Sequence, residues 1–471
     1  MQNVIKSKIM KRVKKVHFIG IGGSGMSGIA SILYDLGYEV TGSDLNSSKN
    51  TEQLIEKGID ISIGHNKDNI LSKDVIVISS AVQQDNVEFT YARKLNIPII
   101  KRAEMLAELM RFSFGIAIAG THGKTTTTSL LASIFADADL DPTYVIGGLL
   151  NSANTNAKLG NSRYFIAEAD ESDASFLHLQ PMVSIVTNID SDHMLTYQNK
   201  FENLRQAFIE FIHNLPFYGL AVICVDNKCI RESISEFHRP VITYGFNDAS
   251  DFKLTDYHND GLKAEFLIHT KKFKDPVKIN LNTPGIHNAL NATAAFIVAE
   301  YEGIPLPKIL KSLNDFKGVA RRFDIKGEIN LKKGSVTLID DYGHHPTEIE
   351  ATISSARATW PQKKIVMIYQ PHRYSRTELL YKDFVRVLSR VDSLILLDIY
   401  SAGEEEIDGI NSIALAKSIR RFGVLSPIYI SDSESIPDVL CKILKKNNLL
   451  ITQGAGDIST LSRKIQEYNF S

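Results

Sequence analysis

Tryptophan occurs once and cysteine three times in the 471 residues. Three thiols, Cys224, Cys229 and Cys441, do not make a disulfide framework in a chain this long, and none stands in C-x-x-C spacing. That scarcity fits a reducing compartment, and the cytoplasm is the expected location. No run of about twenty apolar residues occurs, and the N-terminus has no signal-peptide pattern, so neither a membrane span nor export is expected. An excess of one charge is also missing. Lys+Arg number 53 and Asp+Glu 54, a net charge of −1, so no overall field draws nucleic acid or an anionic membrane. The basic stretch at residues 6–15 is short and terminal, and reads as a solvated tail. There is no short internal repeat and no low-complexity linker.

What is present is ordinary for a globular protein: 44% hydrophobic and 23% charged residues. The length exceeds one core and implies several domains. Short apolar runs alternate with helical patterns, the signature of parallel α/β sheets. Strands are expected at residues 16–19, 39–41, 75–79, 114–120, 164–167, 183–187, 221–225, 336–340, 365–369, 394–398, 428–430 and 449–452. Helices are expected at 24–36, 101–110 and 282–303. Residues 251–280 alternate apolar and polar side chains around the turn HNDG and predict an antiparallel extension. The pattern divides into three α/β domains: 1–112, 113–320 and 321–471.

The stretch HFIGIGGSGM carries Gly20-x-Gly22-x-x-Gly25 behind an apolar run, with Asp44 at the end of the next. This is the spacing of a dinucleotide-binding loop. Alone it says only that a pyrophosphate can approach a helix N-terminus; a nicotinamide cofactor or a nucleotide sugar would serve. GTHGKTTTT is more specific. Gly120, Thr121, His122, Gly123, Lys124, Thr125 and Thr126 stand between a buried strand and a helix start. Such a turn points backbone N–H groups at phosphates, Lys124 can reach the terminal phosphates, and Thr125 can hold Mg²⁺. Ile118 stands where the full Walker pattern has a glycine, so the loop is shortened.

EADESDASF and TNIDSDH each begin at the end of a predicted strand, where open α/β sheets bind ligands. Their acids and His193 are candidates for one or two Mg²⁺ ions; the same residues also serve as turn formers and caps. No cysteine joins the histidine, so zinc is not expected. DDYGHHPTE and PHRYSRTE follow later strands. Of His344 and His345, one is expected to face a pocket and the other solvent. Arg373 and Arg376 would share a face if a helix begins there, and two guanidinium groups suit a carboxylate or phosphate. A basic surface patch is the plainer alternative.

HFIGIGGSGMSGIA, SSAV, RAEMLAELM, GTHGKTTTT, EADESDASF, TNIDSDH, PGIHNALNA, ARRF, DDYGHHPTE and PHRYSRT occur in this order. Together they closely resemble the bacterial cytoplasmic Mur ligases over essentially the whole chain. The resemblance implies a Rossmann-like N-terminal domain for a UDP substrate, a central P-loop ATPase-like domain and a Rossmann-like C-terminal domain. It is nearest to members that join L-alanine to UDP-N-acetylmuramate, with ATP giving ADP and phosphate through an acyl phosphate. No NAD is implied; the first glycine loop would grip the substrate's own diphosphate. The implied partners are these small molecules only, with no nucleic acid and no membrane, in a monomer or homodimer.

Residue by residue, the resemblance puts Lys124 and the residues 120–126 on the ATP phosphates. Thr125 and Glu168 would hold one Mg²⁺, and His193 with Glu168 a second. His287, Asn288 and Asn291 would contact adenine, Asp341 the ribose, and Arg322 the γ-phosphate. Gly22, Gly23, Ser24, Gly25, Asp44 and Ser80 would hold the UDP substrate. Tyr342, His344, Arg373 and Arg376 would form the alanine pocket. Some sister ligases carry a carbamoylated lysine where this chain has Phe208; Lys200 is out of register, and no carbamate is expected. The alternatives are a ligase recycling a murein tripeptide onto the same nucleotide sugar, a folylpolyglutamate-type ligase, and a non-catalytic nucleotide-binding scaffold. Residues 13–110 argue against the second, and the Gly22-Gly23-Ser24-Gly25 form favours the alanine-adding members over the first.

Overall fold

The computed structural model describes residues 10–79, 81–151, 155–423, 425–468 and 470. The first sheet contains β1 (Lys15–Ile19), β2 (Glu39–Asp44), β3 (Asp60–Ile63), β4 (Val75–Ile78) and β5 (Ile99–Lys101). All are parallel, in the order β3-β2-β1-β4-β5. The order reverses direction at β1, which opens a crevice over its carboxyl end. The helices are α1 (Ser24–Asp35), α2 (Lys49–Glu56), α3 (Val87–Lys94) and α4 (Arg102–Met110). Val16 and Phe18 join the larger core and Ile19 a smaller one, so β1 is covered on both faces.

The second sheet holds β6 (Phe114–Ala119), β7 (Thr143–Leu150), β8 (Thr155–Lys158), β9 (Tyr164–Glu168), β10 (Val183–Val186), β11 (Leu220–Cys224), β12 (Val241–Gly245), β13 (Phe252–Asp260), β14 (Lys263–His269) and β15 (Val277–Leu281). Its order is β15-β14-β13-β12-β11-β10-β6-β9-β7-β8, with β8 antiparallel to β7. The central strand β6 is fully buried from Ile116 to Ala119, which is why its sequence is apolar without alternation. With this sheet go α5 (Lys124–Asp137), α6 (Phe201–His213), α7 (Lys228–Ser233), α8 (Ile286–Tyr301) and α9 (Leu306–Asp315). β13 and β14 are neighbours joined by Gly261 and Leu262, a link that short only in an antiparallel pair. The helix expected from residue 282 starts instead at Ile286. Pro284 and Gly285, the latter at φ +106°, hold the chain out of helical geometry until then.

The third sheet holds β16 (Asp324–Asn330), β17 (Ser335–Asp341), β18 (Lys364–Tyr369), β19 (Ser393–Leu396), β20 (Ile428–Tyr429) and β21 (Asn448–Gln453). Its order is β16-β17-β21-β18-β19-β20, with the edge strand β16 antiparallel to β17 and the other neighbours parallel. The helices α10 (Pro346–Thr359), α11 (Tyr374–Leu379) and α12 (Tyr381–Leu388) follow β17 and β18.

By its contacts the chain forms two compact units. One runs up to Asp256 and includes residues 266–279 and 290–316, and so holds the first sheet and the body of the second. The other comprises residues 257–265, 280–289 and 317–471. Within it Asn259 Nδ2 donates to Thr359 Oγ1 (3.2 Å), and Gly285 N to the Tyr257 hydroxyl (2.8 Å). Among the described residues, no helix is long and apolar enough to cross a membrane.

Candidate active site

The loop between β6 and α5 is shaped by two glycines. Gly120 sits at φ +136°, and a Cβ there would stand 2.0 Å from Thr187 Oγ1. Gly123 caps α5 in the left-handed region, φ +85°, where a Cβ would stand 2.6 Å from Asn291 Oδ1. Only glycine fits either place. The segment after β10 clamps the loop from outside. Thr121 N donates to Asn188 O (3.1 Å), His122 N to Asn188 Oδ1 (2.9 Å), and Thr187 Oγ1 to His122 O (2.6 Å). Asp190 N donates to Thr121 Oγ1 (2.9 Å), and His122 Nε2 lies 3.3 Å from Asp190 Oδ2. Thr125 and Thr126 are buried in the first turn of α5.

Lys124 is turned back over the loop. Its Nζ donates to Gly120 O (2.7 Å), Thr121 O (3.2 Å) and Glu171 Oε2 (2.7 Å). Burial alone would lower the lysine's pKa, but Glu171, Asp170 and also Glu168 outweigh it and leave it raised. Burial pushes Glu171 up to about 7 against the pull of Lys124. The Tyr197 hydroxyl donates to the Glu171 carbonyl, fixing the turn that carries it. Glu168 ends β9, and its Oε1 accepts from Gly147 N (2.6 Å). A side chain on Gly147 would meet the Glu168 carboxylate at 2.9 Å. His193 has φ +53°, and its backbone N–H donates to Asp192 Oδ1 (2.8 Å).

The first glycine loop is held by Asp44, whose Oδ2 accepts from Gly22 N (2.8 Å), and by Asn50, which donates to Gly22 O (2.7 Å). Gly23 caps α1, and Gly25 lies in its first turn. Ser80, and the side chain of Ser24, lie outside the described residues.

In the other unit, Asp341 accepts from Phe323 N (2.7 Å), Gly343 N (2.8 Å) and Gln453 Nε2 (2.7 Å), so its carboxylate organises the turn after β17. Arg322 lies over the Tyr342 ring, 5.1 Å to its centroid, and donates to Glu348 Oε1 (3.3 Å). Burial, then the Arg322 charge, pushes His287 down to about 4, so its ring is neutral. Asn288 Nδ2 donates to Pro284 O (2.7 Å). His345 is buried as the N-cap of α10, where its ring accepts from Thr347 N (3.3 Å), because the helix start needs the acceptor; His344 is the more exposed of the pair, with 16% of its side chain accessible. The two arginines have different partners. α11 begins at Tyr374, leaving Arg373 outside it at φ +71° with NH1 on Glu404 (3.2 Å). Arg376 is buried and donates to His372 O (3.2 Å). Tyr342, His344, His372 and Tyr400 form a row of rings at centroid spacings of 5.5, 5.5 and 5.4 Å.

Three family models match in succession: Mur ligase family, catalytic domain, over residues 15–114; Mur ligase middle domain over 118–299; and Mur ligase, glutamate ligase domain, over 321–456. The chain belongs to the Mur ligase family. As a Mur ligase it is an ATP-dependent enzyme that forms amide bonds. Among solved structures it is similar to the UDP-N-acetylmuramate-alanine ligase of Thermotoga maritima. That match has 28% identity and a TM-score of 0.82, over 96% of this chain and 98% of the other. It also shares the fold of a murein peptide ligase from Psychrobacter arcticus, at 22% identity and a TM-score of 0.73, over 97% and 99% of the two chains. A MurF ligase of Thermotoga maritima in complex with ADP matches at 17% identity and a TM-score of 0.63, over 92% and 95%.

Several residues that the structure sets around these loops were not named individually from the sequence: Gly147, Glu171 and Asn188 in one unit, His372 and Tyr400 in the other. Glu171 and His372 stand inside quoted motifs, but nothing local separates them from their neighbours. Gly147 lies in TYVIGGLL, where paired glycines read as a turn rather than a strand.

Proposed function

We propose that the chain joins L-alanine to the carboxylate of UDP-N-acetylmuramate, forming UDP-N-acetylmuramoyl-L-alanine, ADP and phosphate in the cytoplasmic synthesis of peptidoglycan precursors. The observation that carries this is the likeness to the Thermotoga maritima alanine ligase along nearly the full length of both chains. We place the functional domain borders near residues 112 and 320.

A carboxylate is a poor acyl donor because oxide would have to leave. In the proposed reaction its oxygen attacks the γ-phosphorus of ATP, the bond to the bridging oxygen breaks, and ADP departs. The alanine amine then attacks the acyl phosphate, loses a proton, and the tetrahedral intermediate expels phosphate. Lys124 and Arg322 offset the repulsion between the two anions that meet first and stabilise the transferring group. The residues 120–126 cradle the phosphates, His287, Asn288 and Asn291 the adenine, and Asp341 the ribose. Gly22, Gly23, Gly25 and Asp44 take the UDP part. Tyr342, His344, Arg373 and Arg376 take alanine, the arginines on its carboxylate. Magnesium fits the donor set of the Thr125 hydroxyl and the Glu168 carboxylate, both hard oxygens, the latter seated against Gly147 N. His193 with Glu168 would hold a second ion. When bound, magnesium supplies positive charge at the phosphates.

Phosphate release with Mg²⁺-ATP and UDP-N-acetylmuramate, adding L-alanine, glycine, L-serine or the murein tripeptide in turn, tests the reading. Release that depends on L-alanine, with a product heavier by one alanyl residue, is the expected result. Release only with tripeptide would assign the chain to peptide recycling. No release with any acceptor would leave a nucleotide-binding scaffold.

A further inference from the structure

Arg102 opens α4 at the carboxyl end of the edge strand β5, and α1 begins past the carboxyl end of the central strand β1 of the same parallel sheet. Its guanidinium has two neighbours of different kinds. NH2 donates to Asp170 Oδ2 at 3.0 Å. NH1 lies 2.9 Å, and Cζ 3.5 Å, from where a Cβ on Gly25 would stand. The guanidinium is therefore packed against the first turn of α1.

That position is electrostatically unfavourable as it stands. A helix N-terminus carries the positive end of the dipole and repels a cation. The first turn of α1 contains no acidic residue, and its cap, Gly23, has no side chain to offer. Asp170 offsets one edge of the guanidinium only. A cation and a helix N-terminus facing one space together favour an anion of more than one charge. Asp170 is also not an isolated partner. It adjoins Glu171, which holds Lys124.

We propose that Arg102 is a binding residue of the nucleotide-sugar site. One edge of its guanidinium takes the diphosphate of the nucleotide sugar at the first turn of α1, and Asp170 on the other edge holds that contact in register with the phosphate loop. The inference rests on the reading that the first glycine loop binds a UDP-sugar.

The test uses the full chain and UDP as probe, by calorimetry without ATP, followed by steady-state kinetics. Arg102→Ala should raise the Kd for UDP and the KM for UDP-N-acetylmuramate by about 10- to 100-fold, the scale for a hydrogen-bonded charge. Arg102→Lys should recover part of this, and Asp170→Asn should weaken UDP in the same direction by a smaller factor. The KM for ATP should be essentially unchanged in all three. A merely structural ion pair would instead lower thermal stability and shift both substrates together. Folded Arg102→Lys and Asp170→Asn variants that bind UDP like the parent chain would overturn the inference alone. A parent chain that does not bind UDP would overturn it together with the reading beneath it.

Discussion

Lys124 and Glu171 meet at 2.7 Å at the phosphate loop, far from each other in sequence, with Glu171 buried and Lys124 partly so. The lysine that should greet the phosphates is thus held by a carboxylate and by the carbonyls of its own loop. A nucleotide bringing negative charge to this place competes with Glu171 for the same ammonium.

Removing that carboxylate's charge should help nucleotide binding. Glu171→Gln is expected to tighten ADP by about tenfold, the effect of taking one like charge from beside a phosphate at an intermediate dielectric. Calorimetric titration checks it. Weaker binding would mean that Glu171 holds the lysine in its working position. Lys124→Ala should lower kcat by about 10²–10³-fold, as for one electrostatic group at a transferring phosphoryl.

The two glycines of the loop answer to different neighbours. Gly120→Ala would drive a methyl into Thr187 Oγ1 and the Asn188 backbone, and Gly123→Ala into Asn291 while forcing φ +85° on alanine. Each should destabilise the chain by about 1–3 kcal/mol. Thermal unfolding should show a lower Tm for both, and an unchanged Tm for either would contradict the packing described.

Gly147→Ala is a gentler probe, because its backbone is not left-handed. Its methyl would meet the Glu168 carboxylate at 2.9 Å and disturb the 2.6 Å bond from the Gly147 amide. If Glu168 holds magnesium, activity should then need about tenfold more Mg²⁺, the scale for losing a partner that orients a metal ligand. A wild-type Mg²⁺ dependence would count against Glu168 in that role.

Glu88 gives a pH dependence. It is buried beside β1 and β2, accepts from Ser43 Oγ (2.5 Å), Asn69 Nδ2 (2.6 Å) and Asn66 N (3.1 Å), and lies 3.5 Å from the His17 ring. Burial would raise its pKa, but His17, Ser43 and Asn69 outweigh it and hold it at about 2. A depressed folded pKa adds stability above the ordinary carboxylate value of 4.5, and that stability is lost as pH falls from there toward 2. Its full size is about 3 kcal/mol. Glu88→Gln should therefore be clearly less stable at pH 7, with the gap narrowing below pH 4.5 in denaturant titrations. A gap independent of pH would mean that the charge is not what matters.

The alternation of short apolar runs with helical patterns was legible because parallel strands are buried on both faces and read as apolar without alternation, as in FGIAIA. Strands with weaker local signals were not. β7 carries two glycines, β8 reads TNAK, and β16 reads DIKGEIN. Their strand state comes from neighbours in the sheet, which a local pattern does not contain. The start of α8 was misplaced because the periodicity of residues 282–303 outweighed the Pro284-Gly285 break within it.

By itself the sequence determined a series of α/β units and a phosphate loop, since periodicity and a glycine-lysine-threonine turn are local properties of consecutive residues. Their order also marked the family. Only the tertiary structure decided which acid meets Lys124, which glycine seats Glu168, that His345 is a cap, and that Arg373 and Arg376 take different partners. Those outcomes depend on which loops the sheets bring side by side, and neighbouring acids in EADESD differ only in the direction their side chains are made to point.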